Sequence, residues 1–103
     1  MDIHVYEISS KNAASGTWSA NTLDIKAGIC RQILVISNAS ALTFDFKLVD
    51  DKGNVAYDTI RRERTATGEL DDEVCLPMHG IYTMRVYNAS SDGTFSGRLL
   101  VED

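Results

Sequence analysis

A chain of 103 residues and 11.4 kDa has room for one domain around one core, which excludes a two-domain enzyme. Area scaling gives roughly 5,800 Å² exposed when folded against roughly 16,500 Å² extended, so about two thirds of the surface can be buried and no metal or staple is needed. Lys and Arg number 10 against 15 Asp and Glu, a net charge of −5 with a pI near 4.8, the wrong sign for a phosphate backbone, so nucleic acid is not an expected partner.

The start, Met1-Asp2-Ile3-His4-Val5-Tyr6-Glu7, has no basic stretch followed by an apolar run, the pattern of a secretory signal. No segment reaches membrane-spanning length, so a soluble chain made in a cytoplasm, with no membrane contact, is expected. Residues 3–8, 17–25 and 29–37 are rich in β-branched or aromatic side chains, and Gly16 and Lys26-Ala27-Gly28 separate them; each predicts a strand. In the third, Ile33 and Val35 face one side while Leu34 and Ile36 face the other, so both sides need cover.

Residues 42–48 alternate strictly, with Leu42, Phe44, Phe46 and Leu48 on one face, the clearest strand in the chain. The turn Asp50-Asp51-Lys52-Gly53-Asn54 and the returning residues 55–60 complete a hairpin. Residues 61–73 read as a long irregular segment with split charge: Arg61, Arg62 and Arg64 at one end, Glu69, Asp71, Asp72 and Glu73 at the other. Either it is a solvated loop with local ion pairs, or it is a docking arm for a second copy or a partner. Val74-Cys75-Leu76 predicts a short strand before Pro77. Further on, Tyr82, Met84 and Val86 share a face, residues 88–93 form a turn, and Phe95, Leu99 and Val101 alternate with Gly97, which predicts a second hairpin closing the chain. Leu100 points away from Leu99 and Val101, a second apolar residue that needs cover on the outside.

About seven to nine short strands with frequent turn signals, and no window of capped helical periodicity, predict an all-β fold. The expected architecture is an antiparallel β-sandwich or jelly roll, one domain over residues 1–103. Strand, Asn-Ala-Ser turn and strand recur about fifty residues apart, at Asn38-Ala39-Ser40 and Asn88-Ala89-Ser90. Both are read as turns of two related hairpins rather than as glycosylation sites. Cys30 and Cys75 are read as two buried free thiols, with a disulfide as the alternative.

Little catalytic chemistry is visible. His4 and His79 lie in different segments with no adjacent nucleophile pattern, and no Gly-x-Ser-x-Gly elbow, zinc helix or phosphate loop occurs. Neither catalytic residues nor a cofactor are expected. Asp50, Asp51, Asn54 and Asp58 gather oxygen ligands as a calcium site does, but without EF-hand spacing; the hairpin turn explains the same residues. Trp18, between Thr17 and Ser19, either caps the core or offers an aromatic face to a sugar or a protein.

Residues 44–54, then Leu76-Pro77, Gly80-Ile81-Tyr82, Arg85-Val86-Tyr87-Asn88, Gly93, Phe95, Leu99 and Val101, resemble the prepeptidase C-terminal domains. The resemblance implies a jelly-roll-like sandwich with an adhesive or substrate-binding role. In overall type, the short stand-alone β chain with Ser, Thr and Asn turns resembles the decoration, cement and tail proteins of tailed bacteriophages.

The expected function is that of a non-enzymatic structural protein, a bacteriophage virion component that contacts itself or other structural proteins and forms a homo-oligomer. Its interface candidates are Trp18, Leu34, Ile36, Leu100 and the charges of residues 61–73. The alternative is a carbohydrate- or surface-binding module of prepeptidase type, acting outside the cell with Trp18 as a stacking platform.

Overall fold

In the computed structural model, the backbone is described for residues 2–13, 18–63 and 65–103, and side chains for residues 2–7, 23–63 and 65–103. Among these residues seven antiparallel strands run in the order β1 (Ile3–Ala13), β2 (Trp18–Ser37), β3 (Thr43–Asp50), β4 (Val55–Asp58), β5 (Ala66–Thr67), β6 (Glu69–Tyr87) and β7 (Gly93–Glu102). Among the described residues a single 3₁₀ turn, Ile60–Arg62, lies between β4 and β5. The all-β class is as expected.

The strands form one hydrogen-bonded sheet that doubles over into two layers, because β2 and β6 are long enough to belong to both. Strands β1 and β7, the second half of β2 and the first half of β6 make one layer. The first half of β2, the second half of β6, β3 and β4 make the other. The shared pair bends where Lys26 and Ala27 bulge out of the β2 ladder and Gly80, at φ +103°, turns β6. Local pattern marks strand ends beside these residues; the bulge and the glycine bend the ladder without ending it. Pro77 is tolerated inside β6 because that half is an edge of its layer, paired to β2 on one side only.

Alternation then fills the space between the layers. Phe44, Phe46 and Leu48 of β3 and Met84 and Val86 of β6 meet Ile33 and Val35 of β2 and Phe95, Leu99 and Val101 of β7 in one buried cluster. Phe44 and Phe95 meet edge to face across the layers, centroids 5.0 Å apart. Gly97 lets β7 come down on Met84: a Cβ there would stand 2.5 Å from the Met84 methyl. The exposed area, 5682 Å², matches the roughly 5,800 Å² that scaling gives a compact chain of this mass.

The β3–β4 hairpin forms as expected, its turn tied by Gly53 N–H to Asp50 O at 3.1 Å. The second expected hairpin does not form: β6 pairs with β2 and β3, and β7 with β1 and β2. Residues 88–92 carry the chain from one layer to the other, and residues 38–42 do the same from β2 to β3. The Asn-Ala-Ser echo therefore marks two layer crossings, and each is stitched to the strand that follows the other. Asn38 N–H donates to Thr94 O and Thr94 N–H to Asn38 Oδ1, at 2.9 and 3.1 Å; Ser90 N–H donates to Thr43 O and Thr43 N–H to Ser90 Oγ, at 2.8 and 3.0 Å.

Gly68 closes the same end. Its carbonyl accepts from Ser37 N–H and the Ser37 hydroxyl, its N–H donates to Leu42 O, and its φ is +73°. A Cβ there would lie 2.7 Å from Ser40 O, a backbone atom that a rotamer change cannot move. Gly68→Ala is expected to cost about 2–3 kcal/mol through strain and overlap together, read as a lowered urea midpoint. A loss below about 0.5 kcal/mol would show that this corner yields.

Candidate functional site

Of the large apolar residues that stand in the open, Ile3, Val5 and Ile36 share the outer face of the β1-β7-β2-β6 layer, while Ile60 of the 3₁₀ turn and Ile81 of β6 lie elsewhere. Register places the residues of that face in rows across four strands: Ile3, Glu102, Ile29 and Pro77; Val5, Leu100, Gln32 and Glu73; Glu7, Arg98, Leu34 and Asp71. Ser96, Ile36 and Glu69 continue the last three strands. Ile3, Val5 and Ile36 are 63%, 51% and 43% exposed, while Leu34 and Leu100 are half-buried by their neighbours. The result is an apolar strip over β1, β7 and β2, bordered by an acidic column, Glu69, Asp71 and Glu73, on the β6 edge. Gln32 Nε2 donates to Asp71 Oδ1 at 2.7 Å and holds that column in place. Near the middle, Arg98 Nε is buried and has no hydrogen-bond partner among the described residues. Isolated apolar residues on a surface are ordinary; a set of them on neighbouring strands of one face is what interaction surfaces carry.

Leu34, Ile36 and Leu100 are thus brought together on one face, as their parity implied. The segment 61–73 is not one loop. The 3₁₀ turn, β5 and the start of β6 divide it, so Arg61 and Arg62 belong to the β4 side and Glu69, Asp71 and Glu73 to the outer strip. Asp72 corrects the sequence reading outright: only 3% exposed, it faces the core and accepts the Tyr57 hydroxyl at 2.8 Å. Four acidic residues in five hid the strand's alternation, because one of them points inward to a partner fifteen positions upstream. Arg62 sits over the Tyr57 ring, 5.0 Å from its centre. Arg64 and the side chain of Trp18 lie outside the described residues.

The calcium candidates are spread out. Asp50 Oδ1 accepts from the N–H groups of Lys52 and Asn54 at 2.9 and 2.7 Å, and Oδ2 from Asn54 Nδ2 at 3.3 Å. These bonds, the Asn54 N–H foremost, hold the Asp50 carboxyl below its usual range. The side chains are spent on the turn. Asp51 is exposed beside it, but Asp58 pairs with Lys47, three residues from Asp50 and so about 10 Å along the strand. Asp58 accepts the Ile60 N–H at 3.1 Å and the Tyr87 hydroxyl instead. Burial, then the bond to Asp58, raises the Tyr87 hydroxyl well above the ordinary tyrosine range.

A buried polar knot lies under the 3₁₀ turn. Thr59 is fully buried; its hydroxyl donates to Asp45 Oδ1 and accepts the Phe46 N–H, both at 2.9 Å. Asp45, 5% exposed, also accepts from Thr65 Oγ1 and Asn88 Nδ2, each at 3.4 Å. The Asp45 and Thr59 oxygens are engaged within the fold, so the knot fastens Thr59 and Thr65 to β3.

Both cysteines are free, and the expectation of two buried thiols holds for one of them. Cys30 is buried, which pushes its thiol up to about 11. Cys75 is exposed and accepts from Arg31 Nη1 at 3.6 Å. Cys30 is paired with Leu76, and a one-residue offset turns Cys75 to the opposite face, so the thiols cannot meet.

One cluster went unread in the sequence. Where β1 begins and β7 ends, His4 Nε2 lies 2.8 Å from Asp103 Oδ2, and Asp2 N–H donates to Asp103 Oδ1 at 3.1 Å. Only the antiparallel register, Ile3 opposite Glu102, brings these residues together.

No family model matches the chain, the prepeptidase C-terminal domains included, and no curated protein matches it. Among solved structures it is similar to a chain of infectious bursal disease virus, Gt strain, at 12% identity and TM-score 0.47, covering 96% of this chain and 31% of that one. It is also similar to peruvianin-I, a cysteine peptidase from Thevetia peruviana latex, at 13% identity and TM-score 0.42, covering 94% and 60%. A Gx strain chain of the same virus gives 12% identity and TM-score 0.38, covering 97% and 32%. The chain spans under a third of each viral chain and about 60% of the plant one. Similarity of this degree says nothing about function. Among the described residues no helix is long and apolar enough to cross a membrane.

Proposed function

We propose that the chain is a non-enzymatic structural subunit that works through protein–protein contacts in an assembly of repeated copies, its contact surface being the outer face of the β1-β7-β2-β6 layer. The observation that carries this reading is the apolar strip, with Ile3, Val5 and Ile36 in the open beside Leu34 and Leu100. A sandwich layer that needed cover only from its own core would alternate to polar residues on its outside; here β2 adds Leu34 and Ile36, β7 adds Leu100 and β1 adds Ile3 and Val5 to the outer face. The acidic column along β6 supports a partner surface that sets basic groups beside apolar ones. The resemblance in type to tailed-bacteriophage decoration and tail proteins extends the reading to a virion component.

Val5→Glu/Ile36→Glu tests it. Both positions are exposed strand sites, so each change is expected to move monomer stability by less than about 0.5 kcal/mol. In sedimentation velocity or native mass spectrometry, the wild type is expected well above 11.4 kDa and the double variant at that mass with the same β-sheet circular dichroism. A wild-type chain that stays monomeric at high concentration and fails to sediment with virus particles would overturn the reading.

A further inference from the structure

The meeting point of β1 and β7 holds a donor set that nothing in the proposed function uses. Asp2 and His4 are two residues apart and so on one face of the strand; Asp103 N–H donates to Asp2 O at 3.0 Å, extending the ladder one step and setting Asp103 opposite Asp2. One carboxylate oxygen of Asp2, one of Asp103 and one ring nitrogen of His4 all lie within 4.8 Å of one another. We infer that Asp2, His4 and Asp103 form a binding site for a divalent transition-metal ion of the zinc class.

The chemistry of the donors comes first. An imidazole with two carboxylates is a three-ligand set suited to zinc, cobalt or nickel, with the remaining positions left to water. Carboxylates alone would suit calcium or magnesium; the imidazole moves the preference to the transition series. Geometry agrees. Zinc ligands at about 2.0–2.1 Å in a tetrahedron stand about 3.3 Å apart. From the present spacing, the 2.8 Å His4–Asp103 contact has to open slightly and the widest pair has to close by less than about 1.5 Å. Side chains 42% and 41% exposed make such a move by rotation about their own bonds.

Electrostatics points the same way. The Asp2 and Asp103 carboxylates meet at a single spot, and a dication is a group that offsets both. Arg31 of the neighbouring β2 is taken up by Glu102, at 3.4 Å. The Asp2 carboxylate has no hydrogen-bond partner among the described residues, unlike the Asp50 carboxylate, whose oxygens the turn consumes. His4 stands in β1, and Asp2 and Asp103 face each other one step beyond the strand ends, joined by the Asp103 N–H to Asp2 O bond, so a bound ion clasps the edge strand β1 to β7.

The test uses the untagged full chain titrated with zinc chloride and followed by NMR of its histidine rings, with His79 as the internal control. The expected result is a saturable, one-to-one shift of the His4 ring with the His79 ring unmoved, and a rise in Tm that EDTA reverses. His4→Gln is expected to weaken zinc binding at least tenfold and Asp103→Asn several-fold, while His79→Gln leaves it unchanged. Both key substitutions are on the surface, and an unaltered circular dichroism spectrum separates lost ligation from lost fold. Parallel shifts of the two rings, or a His4→Gln chain that binds zinc as tightly as wild type, would overturn the inference. The outcome is independent of the assembly reading, whose interface lies on the opposite face of the same strands.

Discussion

Phe95→Ala is expected to remove about 3–5 kcal/mol of folding stability, the range for deleting a fully buried phenylalanine, from a total that for a domain of this size is about 5–15 kcal/mol. Phe95 is wholly buried and joins the layers: it stands on β7, and its ring meets Phe44 of β3 edge to face at 5.0 Å. Truncation loses the transfer energy of the ring and leaves a cavity that neither layer can collapse into, because the corners at residues 38–42 and 88–92 fix their separation through the Asn38–Thr94 and Ser90–Thr43 bonds. Phe95→Leu, which keeps most of the volume, is expected to cost under about 1.5 kcal/mol. The ring pair itself is worth about 0.5–1.5 kcal/mol, measurable as the coupling in a Phe44→Leu/Phe95→Leu cycle. Urea unfolding measures all three; a Phe95→Ala loss under 1 kcal/mol would mean that the layers do not rest on this contact.

The parity of single strands was legible because a pleat repeats every two residues and needs no knowledge of a partner. Leu42, Phe44, Phe46 and Leu48, and Ile33 and Val35 against Leu34 and Ile36, all fall on the faces that alternation assigns. Continuity was not legible. Lys26-Ala27-Gly28 and Pro77 carry the marks of strand ends, and only the neighbouring ladder shows that one is a bulge and the other an edge position. Pairing was not legible either: residues 81–101 look like a hairpin, yet the favoured contact for Phe95 is Phe44 in the other layer, so the turn becomes a crossing.

The same distinction runs through the candidate sites. Leu34, Ile36 and Leu100 were visible as outward apolar residues, but Ile3 and Val5 complete the strip only because β1 lies against β7. The acidic stretch 69–73 was visible as charge, while the inward turn of Asp72 depends on the Tyr57 hydroxyl that meets it. His4 and Asp103 are 99 residues apart, a separation at which no spacing rule operates. Local period is written in neighbouring residues; a site built across strands is written in the register.

Thr59→Val is the companion test, and it removes a hydroxyl while leaving the volume almost unchanged. The side chain is fully buried, so no water replaces what is lost. Two groups lose a partner at once: the Phe46 N–H, which donates to Thr59 Oγ1 at 2.9 Å, and the Asp45 carboxylate, which accepts from the same hydroxyl at 2.9 Å. A buried donor left unmet costs about 1–3 kcal/mol, and a hydrogen bond to a charged group is worth about 1.5–3 kcal/mol, so a total of about 3–5 kcal/mol is expected. The bonds that remain to Asp45, from Thr65 and Asn88 at 3.4 Å, are too long to make up the difference. Thr59→Ser keeps the hydroxyl and is expected to lose only about 1 kcal/mol, and adding Asp45→Asn to Thr59→Val is expected to recover part of the loss, because the stranded charge is gone. Hydrogen exchange locates the effect: with the hydroxyl removed, protection falls first at Phe46 and in residues 59–63, because this knot is what fastens the 3₁₀ turn to β3. Protection lost evenly over all seven strands, with no local deficit there, would instead place the role of Thr59 in general packing.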